Sequence, residues 1–99
     1  MLYAFLCEDV ANSLPIRKRV RPDHIRNVQK LKDEGRLILA GPHPNIDSED
    51  PNEAGFSGSL IVAEFSDLAS AEHWINNDPY VTEGVFAKVT VKPFKQVMP

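Results

Sequence analysis

With a single cysteine among its ninety-nine residues, the chain can form no internal disulfide. That residue, Cys7, sits in the apolar run LYAFLC, where a thiol serves as a small buried hydrophobe rather than a nucleophile. Nowhere do apolar residues run long enough to cross a bilayer, and no basic segment followed by a long apolar stretch opens the chain. The expectation is a cytoplasmic protein with no membrane partner. Basic residues are also in deficit, with eleven Lys and Arg against fourteen Asp and Glu. The net charge of −3 gives no electrostatic reason to expect nucleic acid as a partner. The local exception is the cluster Arg17, Lys18, Arg19 and Arg21.

Several motifs are missing too. The only glycine-rich stretch, GFSGS, precedes an apolar strand-like segment rather than a helix, so it is no phosphate cradle. His24, His43, Asp47 and Asp50 supply metal-ligating atoms, but no pair has H-x-x-x-H spacing and no Cys-His pattern occurs. Neither a metal nor a cofactor is expected. Ser59 lacks the G-x-S-x-G context of a nucleophile elbow.

The residues that are present describe one ordinary domain over 1–99, 42% hydrophobic and 25% charged, large enough for one core. Leu2 to Asp9 is apolar and aromatic and reads as a central strand. Val10 to Arg21, with Asn12, Ser13, Pro15 and its basic residues, reads as a mobile loop. Pro22 then sets the first turn of a helix, with Asp23 favourable at that end and Ile25, Val28, Leu31 and Lys32 along one face. Gly35 ends it as a left-handed cap, and Arg36 to Ala40 forms a second strand closed by a turn at Gly41-Pro42.

His43 to Ser57 offers almost nothing to bury and reads as a long loop, a feature often functional or disordered beyond about 12 residues. Gly58 to Phe65 gives a third strand, and Ser66 or Asp67 caps a second helix, Leu68 to Asn77. Its stripe of Leu68, Ala71, Trp74 and Ile75 assigns Trp74 to the core. Asp78-Pro79 stops that helix, because a residue before proline is pushed out of the helical region. A last strand runs from Val85 to about Val97, alternating Phe86, Lys88, Thr90 and Lys92 with Ala87, Val89, Val91 and Pro93.

The order βαββαβ is that of an α+β, ferredoxin-like fold, a four-stranded antiparallel sheet with two helices on one face. The first and third strands are apolar on both faces, so the side opposite the helices also needs cover. A second copy closing sheet against sheet would supply it, as would a loop or tail.

In that fold His24 lies just inside the start of the first helix and Asp78 just past the end of the second. Antiparallel packing then brings those helix ends together. An imidazole oriented by a carboxylate can move protons near neutral pH. The ordinary alternative is that Asp78 braces the helix end and His24 joins a polar network there. Arg21 offers a guanidinium to an anionic or phenolate substrate, or else a solvated surface cation. Ser59 can donate a hydrogen bond into the same pocket. Gly41 and Pro42 turn at its rim, and Phe56 and Tyr80 are candidate aromatic walls whose ordinary role is packing.

The segments VRPDHIRNVQKLKDEGRLILAGP, EAGFSGSLIVAEF, NDPYVTEGVF and VKPFKQV, taken in this order and spacing, resemble the YciI-like proteins of the dimeric α/β-barrel group. The resemblance covers nearly the whole chain. It implies a ferredoxin-like subunit, a homodimer formed through the sheets, and a site centred on a histidine and an aspartate. His24 stands at the family's histidine position, and Asp78 in the DP motif is the match for its aspartate. The family includes a dehydrochlorinase acting on a chlorinated hydroxyquinol, which brings proton transfer with elimination into its chemistry. The expectation is therefore a small enzyme without a cofactor that acts on a small polar molecule, aromatic ones included. The alternative from another class is a ligand-binding or accessory module whose cleft recognises a metabolite without converting it.

Overall fold

A computed structural model describes residues 1–99. Its elements are β1 (Leu2–Asp9), α1 (Leu14–Asp33), β2 (Leu37–Pro44), a short 3₁₀ turn (Asn52–Ala54), β3 (Phe56–Glu64), α2 (Leu68–Asn76), α3 (Pro79–Thr82) and β4 (Phe86–Phe94). The strands form one antiparallel sheet in the order β2-β3-β1-β4, which is the ferredoxin-like arrangement.

Period-two alternation sorts the sheet into two faces. Tyr3, Phe5 and Cys7 of β1 pair with Ala63, Ile61 and Ser59 of β3, and all six are buried. With Val20, Val28 and Leu31 of α1 and Ala71 and Ile75 of α2, the apolar members make one core cluster. Trp74 packs against that cluster, its ring edge-on to Phe5 at 5.4 Å, as its place on the helix stripe predicts.

The largest correction falls on α1. The helix begins at Leu14, so Val10–Arg21 is mostly helical rather than a loop. Pro15 occupies the first turn, where a missing N–H costs nothing, while Pro22 lies inside the helix. Pro22 is exposed, so the Lys18 carbonyl left without its helical donor can turn to water. Asp23 is accordingly not at a helix start, and the dipole argument for it lapses. The buried stripe is Arg17, Val20, His24, Val28 and Leu31, while Ile25 is 41% exposed. At the far end Gly35 has φ of +72°. Arg36 N–H donates to Leu31 O and Gly35 N–H to Lys32 O, the paired bonds of a Schellman cap.

The other differences are local. The strand β2 continues through Gly41 and Pro42 to Pro44, so that dipeptide lies within the strand and makes no turn. The segment after Asp78 closes into α3, and β4 ends at Phe94 rather than Val97. A bulge where Glu8 and Asp9 of β1 face β4 shifts the register between Lys88 and Phe86. Without it, Phe86 would share the open face with Lys88; the extra residue turns it into the core. No helix is long and apolar enough to cross a membrane.

Candidate functional site

Asp78 adopts an extended backbone, as expected before Pro79, and its side chain caps α3 by accepting from Tyr80 N–H at 2.9 Å. The same oxygen, Oδ2, accepts from His24 Nδ1 at 2.7 Å, and Oδ1 accepts from Asn27 Nδ2 at 2.8 Å. Capping and pairing with His24 are therefore one arrangement rather than alternatives. The sequence expectation that the two residues meet is met, but by a different route. His24 is the eleventh residue of a twenty-residue helix, and α3 delivers Asp78 to its middle.

A carboxylate accepting at Nδ1 assigns the neutral ring its Nδ1–H tautomer, leaving Nε2 with a lone pair. Every fully buried side-chain nitrogen and oxygen in the structure has a hydrogen-bond partner, whereas Nε2 has none in the protein. Nε2 is therefore not fully enclosed, and His24 is one of the residues that line a cleft of about 160 Å³. The Tyr80 ring stacks on the imidazole at 3.9 Å and 7°, and Phe86 meets it edge-on at 6.5 Å. These contacts fix the plane of the ring while leaving its Nε2 edge open.

The cleft wall combines one face of α1 (Arg17, Arg21, His24, Ile25, Val28) with Ala40, Gly41 and Pro42 of β2, Ser59 and Ile61 of β3, and Tyr80. Arg21, Ser59, Gly41, Pro42 and Tyr80 thus fall beside His24 as the sequence reading expects. Phe56 does not. It lies beyond Arg17, 5.3 Å from ring centroid to guanidinium carbon, and lines a separate cleft of about 590 Å³. That larger cleft runs between the β1–α1 connection and the β2–β3 segment and includes neither His24 nor Asp78. Volume and chemistry therefore part company in this protein.

The residue that sequence reasoning passed over is Arg17. It is only 6% exposed, grips Asp9 through Nε at 2.6 Å and Nη2 at 3.0 Å, and donates from Nη2 to Gly58 O and to Ser59 Oγ. Ser13 also donates to Asp9, at 2.6 Å. The signal that would have found it is the spacing 17, 21, 24, 28, legible only once the helix is started at Ser13-Leu14-Pro15. Gly58 makes room for this corner, since a Cβ there would stand 2.0 Å from the Cys7 carbonyl oxygen.

Burial pushes the Cys7 thiol up to about 12, with Asp78 and Asp9 adding to the rise, so it stays protonated and unreactive at neutral pH. Burial likewise raises the Tyr80 phenol, which remains a neutral wall of the cleft. No three His, Cys, Asp or Glu side chains converge as a metal site.

Residues 1–95 match the family described as YCII-related domain. Protein YciI of Escherichia coli O6:H1 is 53% identical over 97 residues, 98% of this chain and 99% of the relative. An uncharacterized protein of Haemophilus influenzae is 47% identical over the same shares. Among solved structures, the 5-chloro-2-hydroxyhydroquinone dehydrochlorinase TftG of Burkholderia phenoliruptrix AC1100, in complex with 2,5-dihydroxybenzoquinone, superposes with a TM-score of 0.84. That match covers 96% of this chain and 94% of TftG at 23% identity, a likeness of fold.

Proposed function

Since the chain belongs to the YCII-related family, we propose that it is a small enzyme working without a cofactor, in which His24 moves a proton on a small polar substrate and Asp78 orients the ring. One observation carries this reading. A buried carboxylate holds Nδ1 at 2.7 Å while the opposite nitrogen is left without a protein partner, on a residue that lines a cleft.

The step follows from that geometry. Nε2 takes a proton from an acidic C–H or O–H, and Asp78 stabilises the imidazolium that forms. The electron pair left behind becomes a new double bond or resides on a substrate oxygen. Where a leaving group such as chloride stands on the adjacent position, it departs with its own bonding pair, and the imidazolium returns its proton to water. Atoms and electrons balance with no oxidant. Arg21 and Ser59 contact the substrate's polar groups, Gly41 and Pro42 form a rim without bulky side chains, and Tyr80 gives a flat wall suited to a planar ring.

The test is chloride release from 5-chloro-2-hydroxyhydroquinone, with ring-proton exchange of 2,5-dihydroxybenzoquinone in D₂O as a second readout of proton transfer. Both should fall sharply in His24→Ala. Ligands held equally well by wild type and His24→Ala, with conversion by neither, would replace the enzyme by a binding module.

The reading extends to assembly. Leu2, Leu6, Leu39, Leu60 and Val62 share by register the sheet face that carries no helix, and Leu6 and Leu39 are exposed. A second copy seated there would bury this apolar surface. Sedimentation should then give about twice 11.1 kDa at micromolar concentration, and a persistent monomer would remove the proposal.

A further inference from the structure

Proton removal leaves negative charge on the substrate, and the cleft contains donors that the protein leaves unspent. A guanidinium has five N–H groups, one on Nε and two on each Nη. Those of Arg17 Nε and Nη2 go to Asp9, Gly58 O and Ser59 Oγ; Nη1 makes none of these bonds, and the one further protein acceptor beside the guanidinium is the Tyr80 phenol oxygen, itself on the cleft wall. Because no fully buried side-chain nitrogen is unpartnered, Nη1 must reach solvent. Arg17 lines the His24 cleft and is absent from the wall of the larger one. An arginine only 6% exposed thus stands at the wall of the site with one NH₂ group not taken up by Asp9, Gly58 or Ser59.

Ser59 shows the same pattern. Its Oγ accepts from Arg17 Nη2 at 2.9 Å, and its own O–H has no acceptor in the protein. Ser59 is 4% exposed and also lines the cleft. A hydroxyl that accepts from a guanidinium is polarised toward donating its own proton. Arg21 adds net charge: it is exposed, lines the same cleft and makes no ion pair, whereas Asp9 offsets the charge of Arg17.

From these unspent donors we infer that the cleft selects a planar substrate bearing an ionised oxygen, a carboxylate, phenolate or enolate, received jointly by Arg17 Nη1 and the Ser59 hydroxyl with Arg21 at the mouth. The inference deepens the proton-transfer reading and rests on it for what the anion does: the receiving pair is where charge goes as Nε2 takes the proton. The binding claim itself needs no turnover.

Benzoate and benzamide test it, since they share shape and differ in charge. Calorimetric titration of the whole protein should show benzoate binding at least about tenfold more tightly than benzamide. Ser59→Ala should weaken benzoate about five- to tenfold and leave benzamide within about twofold. Arg17→Lys, which keeps a cation for Asp9, should also lose the preference; Ser59→Ala decides the matter if that variant fails to fold. Equal affinity for the two probes, no benzoate binding at millimolar concentration, or an unchanged preference in Ser59→Ala would each overturn the inference. The two readings fail separately. A His24→Ala protein that keeps both the preference and the turnover removes the base but leaves the anion site, whereas turnover that depends on His24 without charge preference does the reverse.

Discussion

Asp9 and Asp78 are both withdrawn from water, with side-chain exposures of 1% and 0%, and each has a nitrogen partner within 2.7 Å. Asp9 faces a guanidinium, which stays charged at every relevant pH, and takes two oxygens' worth of parallel bonds from it. Asp78 faces an imidazole, which can gain and lose a proton, and the ring's far nitrogen is open. Equal burial thus supports two roles. The first pair anchors the start of α1 to the end of β1, and the second supplies the base in the proton transfer proposed above. Burial and a short contact do not make a carboxylate chemical; the titratability and access of its partner do.

Breaking the anchor should produce the largest effect on folding. Arg17→Ala leaves the Asp9 carboxylate buried and uncompensated, a loss of about 3–5 kcal/mol measurable by urea denaturation. Replacing both members by apolar residues, as in Arg17→Met with Asp9→Leu, should recover most of it, and no recovery would refute the anchoring role. On the other side, His24→Gln should fold with a loss of about 1–2 kcal/mol while lowering the rate of proton transfer by about 10²–10⁴-fold. A His24→Gln protein that loses as much stability as Arg17→Ala while its folded fraction keeps the wild-type rate would collapse the distinction between the pairs.

Gly58→Ala probes the strand contact under the Arg17 corner. The added methyl would meet the Cys7 carbonyl oxygen, so β1 and β3 must separate, at a cost of about 2–4 kcal/mol. A thermal melt unchanged from wild type would show that the corner gives more easily than its close approach implies.

The smallest effect reports on both pairs together, because Cys7 feels the negative charges of Asp78 and Asp9 beside the larger effect of its burial. Its thiol ionises near the ordinary 9.0 when unfolded and is pushed up to about 12 when folded. Across that window the unfolded chain has lost the proton that the folded chain keeps, so stability is complete below pH 9 and falls as pH rises. The decline is at most about 1.4 kcal/mol per pH unit. In Cys7→Ala this part of the slope should vanish; denaturation curves between pH 8 and 10 would show it, and an unaltered slope would contradict it.

Much of this was legible in the residues. The bounds of β1, the Gly35 cap, the Asp67 cap that accepts from Ser70 N–H and the stop at Asp78-Pro79 all depend on local chemistry, and each is found where that chemistry puts it. The first half of α1 was not legible, because Asn12, Ser13 and Pro15 signal a connection and Pro22 marks a helix start in the wrong place. Tertiary contact overrides these signals: Val20 enters the core, and Arg17 finds Asp9 from β1 and Ser59 from β3. With the helix start misplaced, Arg17 fell into a loop and its partnership was invisible. Arg21, one turn further along the same face, was found only because it stands close to His24.

The sequence by itself determined the order of the strands and of the two long helices, because periodicity, caps and proline act over a few residues, and its resemblance to the YciI-like proteins pointed to the family. Only the tertiary structure decided where along α1 the histidine sits, which of its nitrogens faces the carboxylate, and that a guanidinium eight residues from Asp9 both grips that carboxylate and lines the cleft. Those facts depend on chain segments that meet across the sheet, and such meetings are settled by burial and by the satisfaction of polar groups, which no local preference encodes.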